Sequence, residues 1–291
     1  MSGSVALVRD ENIERGIGGA LELAGNLAPL LVQKHVAIKP NDTWATPADL
    51  TACTQADTVR AVIRYVKRFN PSRITVSGGS GAGETQEIFH LLGIDTVIRR
   101  EGVEFFDHNR GPFVQIELDY GPQPKVLVNP HILDYQTLIS LAQHKVHNAA
   151  AVTLTMKNIA MSFPAADYYG HPRDSYMQPH HFFKDLHAFI AGMCKRFPPA
   201  IGIIVGHPAM VGQGPLGGTT FESDLFIAGM DFVACDAIGA YLLGKKNVRH
   251  IELAGDIGLG TAAIDLITVK GLPLDYAIEL FQRKSVMASY A

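Results

Sequence analysis

The 291-residue chain is 47% apolar and 18% charged, which excludes a disordered tail and suits a protein that buries a large core. Lys and Arg number 25 against 28 Asp and Glu, a formal charge of −3, so neither a nucleic-acid footprint nor an anionic-membrane surface is expected. Three scattered cysteines, Cys53, Cys194 and Cys235, form no Cys-x-x-Cys pair, so no iron–sulfur cluster, zinc knuckle or disulfide framework is expected. With no basic-then-apolar leader and no run near the ~18 apolar residues of a membrane span, the cytoplasm is the expected address.

Residues 5–8 read as a strand and 12–31 as a helix, followed by a strand over 35–39 that Pro40 closes. Over 55–69, Val59, Val62, Ile63 and Val66 recur at the spacing of one helical face, and Asn70-Pro71 stops the run. A strand over 73–76 and a helix over 84–92, ended by Gly93, continue the alternation. Around 103–128, turns at Gly111-Pro112 and Gly121-Pro122 bring strand-like pieces together as an antiparallel insertion. Strands over 138–141 and 152–155 bracket a polar, histidine-bearing loop. A helix over 180–195, a buried strand over 201–205, a glycine-rich loop over 206–218, a strand over 225–228 and a helix over 231–243 come next. Segments over 264–269 and 274–281 finish the chain. The alternation predicts an α/β fold, a mainly parallel sheet flanked by helices. One interlocked domain over 1–291 is expected, with 130–140 the place of any subdivision.

Five segments carry side chains suited to chemistry. Lys39-Pro40-Asn41-Asp42-Thr43 leaves the second strand at its C-terminal end, where open α/β sheets bind ligands; Asn41 and Asp42 there offer either ligand contacts or a helix cap. Residues 76–84, with Gly79 and Gly81, open a helix and offer either an anion nest or a plain tight turn; neither a P-loop nor a Gly-x-Gly-x-x-Gly frame is satisfied. His144, Lys145 and His147, followed by Thr153, Lys157 and Asn158, concentrate groups that hold anions and move protons. His171, His180, His181 and His187 add imidazoles without a recognised metal frame, and surface or capping roles suit most of them. Last, Gly212 and Gly214 lie in the loop that contains His207, and Asp236 sits within an apolar helix whose cap is Asp231, where it needs a basic partner or water.

Taken in order, Lys39-Pro40-Asn41, Lys145-Val146-His147 with Thr153 and Lys157-Asn158, Gly212-Gln213-Gly214-Pro215-Leu216-Gly217-Gly218, and Asp231 to Asp236 resemble the domain-of-unknown-function 362 family over residues 35–245. The resemblance implies an α/β domain. Many members carry an appended ferredoxin module, whose cysteines this chain lacks, so the iron–sulfur association is not carried over. Two acids that members often place around the glycine-rich loop are Val205 and Val211 here, with His207 as a local substitute. A more distant, topological likeness is to the N-terminal half of nickel-dependent lactate racemases, through Asn41-Asp42-Thr43 and the glycines from Gly78 to Gly83.

The leading functional reading is an enzyme acting on a small anionic substrate in a cleft at strand C-termini, through Lys/His-based acid–base or redox chemistry. Lys145 and Lys157 hold the anion and His147 transfers a proton. Asn41, Asp42, Asn158 and Asp236 orient the substrate, and Gly79, Gly81, Gly212 and Gly214 supply amides and closure. The alternative is a non-catalytic metal- or cofactor-binding protein that holds a divalent metal through His144, His147, His181 and His207. A third reading docks a partner on apolar residues 156–163. A small anionic molecule is the expected partner, without nucleic acid or membrane, and a homo-oligomer is compatible with each reading.

Overall fold

The β-branched runs form strands with buried faces, and the amphipathic runs between them form helices. The structure, a computed structural model, describes residues 3–170 and 185–290. β1 (Gly3–Arg9) leads into α1 (Ile13–Ala24), capped by Asn12, whose side chain accepts the Arg15 amide. The single helix expected over 12–31 is broken: Gly25, at φ 134°, ends α1, and Pro29 stands in the first turn of α2 (Ala28–Leu31). β2 (His35–Pro40), α3 (Ala56–Lys67), β3 (Arg73–Gly78), α4 (Thr85–Leu91), α5 (Ile94–Glu101) and β4 (Glu104–Asp107) follow. α5 escapes a periodicity search because it has eight residues and only Gly93 with the last turn of α4 before it.

The antiparallel pair of the insertion is β5 (Val114–Glu117) with β6 (Lys125–Val128), a separate two-stranded sheet, whereas β4 joins the main sheet parallel to β3. β7 (Thr137–His147) corrects the expected polar loop. All eleven of its residues are buried in the strand, and β8 (Ala151–Thr153) folds back on its end. α6 (Thr155–Ala160), α7 (Ala166–Tyr169) and α8 (Leu186–Arg196) precede β9 (Ile201–Val211), which continues into the segment expected as a glycine-rich loop. β10 (Thr219–Phe221), β11 (Leu225–Gly229), α9 (Phe232–Leu242), α10 (Arg249–Asp256), β12 (Ile267–Gly271) and α11 (Leu274–Ser289) complete the described chain.

The described strands make a ten-stranded sheet in the order β12-β1-β11-β9-β7-β2-β3-β4, with β8 on β7 and β10 on β9. β9, β7, β2, β3 and β4 run parallel to one another, β12 runs parallel to β1, and β11 is antiparallel to both neighbours. The fold is therefore α/β, with a mixed, mostly parallel sheet. Alternating side chains feed two apolar cores: Ile38, Val62 and Ile203 on one face, Leu138, Ile204 and Ile238 on the other. From β2 the chain steps outward through β3 to β4, then returns to place β7 on the other side of β2. That reversal opens a crevice beyond the C-terminal ends of β2 and β7.

Candidate functional site

Asp42 lines this crevice and pairs with the buried Lys39 at the end of β2. Lys39 Nζ lies 2.6 Å from Asp42 Oδ1 and donates to the Pro40 carbonyl at 2.5 Å, with both charged groups buried. The second carboxylate oxygen of Asp42 accepts the Gly79 amide at 2.8 Å, and Ser80 Oγ donates to the Asp42 carbonyl at 2.6 Å. A buried ion pair persists when its remaining lone pairs and protons are satisfied in this way. Asp42 thus fastens the glycine loop to β2, and both its carboxylate oxygens have partners within the fold.

The glycine loop is a tight turn. The Gly79 amide goes to Asp42, the Ser80 amide to Thr85 Oγ1, and the Gly81 and Ala82 amides to the Thr43 carbonyl. These amides have protein acceptors, so an anion nest is not built there. Gly79 is required by close approach: a Cβ would lie 1.8 Å from His108 Nε2 and 2.6 Å from Ser162 Oγ. His108, fully buried, bridges Ser77 Oγ and Ser162 Oγ behind the loop.

α6 brings Lys157 and Asn158 to the opposite wall. Its start is held by Asp236 of α9, whose carboxylate accepts the Thr155 and Met156 amides at 2.8 and 3.0 Å and Thr155 Oγ1 at 2.6 Å. Burial pushes the Asp236 carboxyl up to about 7 against these bonds. The basic partner expected for Asp236 is replaced by amides and a hydroxyl, and Asp236 does not reach the cavity. Asn158 Nδ2 donates to the Lys39 carbonyl at 2.9 Å and to Ser140 Oγ at 3.1 Å, which leaves its Oδ1 to accept Asn41 Nδ2 at 3.4 Å.

β7 and β8 add His147 and Thr153. His147 Nδ1 accepts the Ala149 and Ala150 amides at 3.1 and 3.2 Å, so the ring proton resides on Nε2 and the imidazole is a neutral donor. Lys145, two residues earlier, is absent from the cavity wall. Its ammonium donates to the Ala52 carbonyl, and burial lowers its pKa to about 8. Beside it, burial raises the Cys53 thiol to about 11.

The cavity enclosed by these elements holds about 80 Å³ and is lined by Asn41, Asp42, Gly79, Gly81, His147, Thr153, Lys157 and Asn158, among others. At roughly 30 Å³ per water, that space suits a molecule of a few heavy atoms. Thr43, Ala82, Pro215 and Leu216, within three of the segments singled out in the sequence, also line the wall, as do Met161 and Ser162 of the stretch 156–163 and Trp44, for which the sequence suggested no role. Gly214 acts indirectly. A Cβ there would lie 2.2 Å from the Val146 carbonyl, so only glycine lets the loop approach β7 and carry Pro215 and Leu216 to the cavity. Gly212, at φ 76°, shapes the same loop without reaching the wall.

A larger concavity of about 620 Å³ lies between α9, α10 and residues 260–266, away from every strand end discussed above. The small crevice is the better site because its polar groups converge from four separate elements.

The histidines proposed as metal ligands are dispersed. His144 Nε2 donates to the Gly239 carbonyl at 2.8 Å on the other face of β7, and burial lowers its pKa to about 4. His207 stands between Asp57 at 3.1 Å and Glu222 at 2.5 Å, which together raise its pKa to about 10. His181 lies outside the described residues, as do His171 and His180. Among the described residues no three His, Cys, Asp or Glu side chains converge as a metal centre. A divalent metal therefore finds no ligand set there among the described residues: the cavity offers one imidazole, one ammonium, amides, hydroxyls and the Asp42 carboxylate, whose two oxygens are bonded to Lys39 and the Gly79 amide. Residues 156–163 do not form a docking face either, since Met156, Ile159, Ala160 and Phe163 are buried in the core.

The sequence profile of the domain of unknown function DUF362 matches residues 36–241, from β2 through most of α9. The chain belongs to this family. The matched span supplies every wall of the crevice. No curated protein sequence matches the chain. Among solved structures, the lactate racemase apoprotein from Thermoanaerobacterium thermosaccharolyticum is similar, with a TM-score of 0.50 and 15% identity over 81% of this chain. The chain spans 57% of that protein's length. At this identity the likeness is one of fold. Among the described residues no helix is long and apolar enough to cross a membrane.

Proposed function

We propose that this family member is an enzyme that binds a small hydroxy carboxylate in the crevice between β2, β3, β7 and α6 and polarises it through a hydrogen bond from His147. One observation carries the reading: Asn41 after β2, His147 at the end of β7, and Lys157 and Asn158 on α6, three separate segments, line a single cavity of about 80 Å³ at the topological switch point. Lys157 supplies the positive charge for the carboxylate. His147, a neutral imidazole with its proton on Nε2, donates to the substrate oxygen on which charge develops. The fold likeness to a lactate racemase supports lactate as the first probe. Asn158 and the Lys39–Asp42 pair keep the wall rigid without contacting the reacting atoms.

The test is a thermal-shift titration with L- and D-lactate. A ligand that binds only the folded state raises Tm, by the equivalent of about 2.7 kcal/mol at a hundred times Kd. The expected result is a rise with lactate that Lys157→Met abolishes. A wild-type chain whose Tm does not respond to any small carboxylate sinks the reading.

A further inference from the structure

Two oxygen atoms of the cavity-wall residues have no hydrogen-bond partner among the described residues: Asn41 Oδ1 and Thr153 Oγ1. Asn41 is 4% exposed and Thr153 2% exposed, so bulk water does not satisfy them. Buried polar atoms are almost always paired, and an exception in a wall marks a place where something else supplies the partner. The amide orientation of Asn41 follows from its neighbours. Asn158 Nδ2 is committed to the Lys39 carbonyl and Ser140 Oγ, so Asn158 Oδ1 faces Asn41 and demands the Asn41 NH₂. Asn41 Oδ1 is then an acceptor with nothing to accept. Placed beside a carboxylate it repels; placed beside a hydroxyl it accepts a hydrogen bond. Thr153 Oγ1 both donates and accepts.

The geometry points to Asn41 and Thr153 as the pair that reads the substrate's hydroxyl: Asn41 Oδ1 accepts a hydrogen bond from it and Thr153 Oγ1 donates one to its oxygen. This assignment rests on the hydroxy-carboxylate reading above and adds the specificity element to it. Lys157 alone would bind any small carboxylate. The two oxygens separate acids that carry a hydroxyl from acids that carry a carbonyl or nothing at that position.

Calorimetric titration of the full chain with lactate, pyruvate and propionate tests it. Pyruvate satisfies Thr153 but not Asn41, and propionate satisfies neither. The expected order of affinity is lactate over pyruvate over propionate, each step about tenfold, the size of one satisfied hydrogen bond in a closed site. Thr153→Val is expected to remove the pyruvate-to-propionate step and weaken lactate about tenfold, while propionate affinity stays unchanged. Thr153→Ser, which keeps the hydroxyl, retains the order. Because the hydroxyl has no partner in the fold, Thr153→Val is also expected to leave Tm equal or higher, so a fall in Tm overturns the assignment. Equal affinity for lactate and propionate in the wild-type chain, or full discrimination by Thr153→Val, overturns it too and leaves carboxylate binding in place. Failure of the wild-type chain to bind any of the three acids overturns the reading and the assignment together.

Discussion

Two clusters of charge lie on strands of the same sheet, and they are built on opposite principles. At the end of β2, Lys39 and Asp42 are sealed from water, and beside them the wall residues Asn41 and Thr153 keep unpaired oxygens. Where β9 bulges, His207 is held between Asp57 and Glu222 in a partly wet setting, with both ring nitrogens paired. The space around His207, about 460 Å³, is far larger than the crevice. Yet its imidazolium has no donor left to offer a ligand. Size alone therefore misleads; what marks the crevice is convergent polarity with hydrogen-bonding capacity left over. The contrast also predicts where substitutions hurt, because an unpaired charge costs several times more in the sealed cluster than in the wet one.

The largest effect is expected for Asp42→Ala. It strands the Lys39 ammonium in the interior and frees the Gly79 amide, at a cost of about 3–5 kcal/mol in urea unfolding. A loss below about 1 kcal/mol would show that the pair is not sealed as described. The two lysines come next. Lys157→Met is expected to weaken lactate about 10- to 100-fold, the worth of a hydrogen bond to a charged group. Lys145→Met is expected to leave affinity unchanged, since its ammonium is spent on the Ala52 carbonyl. Equal losses in both variants would put Lys145 back in the site.

These two lysines also show how much the sequence discloses. The strand–helix alternation and the strand-end position of Asn41 and Asp42 are legible from β-branched runs and Pro40, and the crevice forms where that reading expects it. The glycines after β3 are legible as a turn too, though the amides they expose are consumed by Asp42 and Thr43. Residues 142–147 read as a loop because the run Gln143-His144-Lys145 is polar. It is a buried strand because distant groups take its side-chain donors: the Thr51 carbonyl takes Gln143, the Gly239 carbonyl takes His144, and the Ala52 carbonyl takes Lys145. Partners 90 or so positions away leave no local trace. The same holds for Ser162 and His108, which fill the space that a side chain at position 79 would need.

Gly79→Ala probes that space. The added methyl meets the His108 ring and Ser162, and overpacking of this kind costs about 1–3 kcal/mol. Gly81→Ala, whose nearest neighbour would be the Thr43 carbonyl at 3.6 Å, is the matched control with little expected loss. A Gly79→Ala chain as stable as the control would mean that His108 and Ser162 give way freely, and the wall would not be rigid.

The smallest effect belongs to the wet cluster and is read through pH. Asp57 and Glu222 hold the His207 imidazole protonated in the folded chain up to about pH 10, whereas in the unfolded chain it titrates near 6.5. The folded state therefore binds more protons between those values. The clamp's contribution is complete below pH 6.5 and is lost as pH rises toward 10. Screening at these half-exposed groups limits the contribution to about 1 kcal/mol. Lys145 titrates in an overlapping window with the opposite sign, because burial lowers its pKa to about 8 and stability from that source rises with pH above it. The informative quantity is thus the difference between wild type and His207→Gln, followed by urea unfolding from pH 6 to 10. That difference is expected to shrink toward zero at the alkaline end. A constant difference across the range would mean that the charge on His207 is not what joins β9 to α3 and the residue after β10, and the contrast between the two clusters would reduce to one of packing.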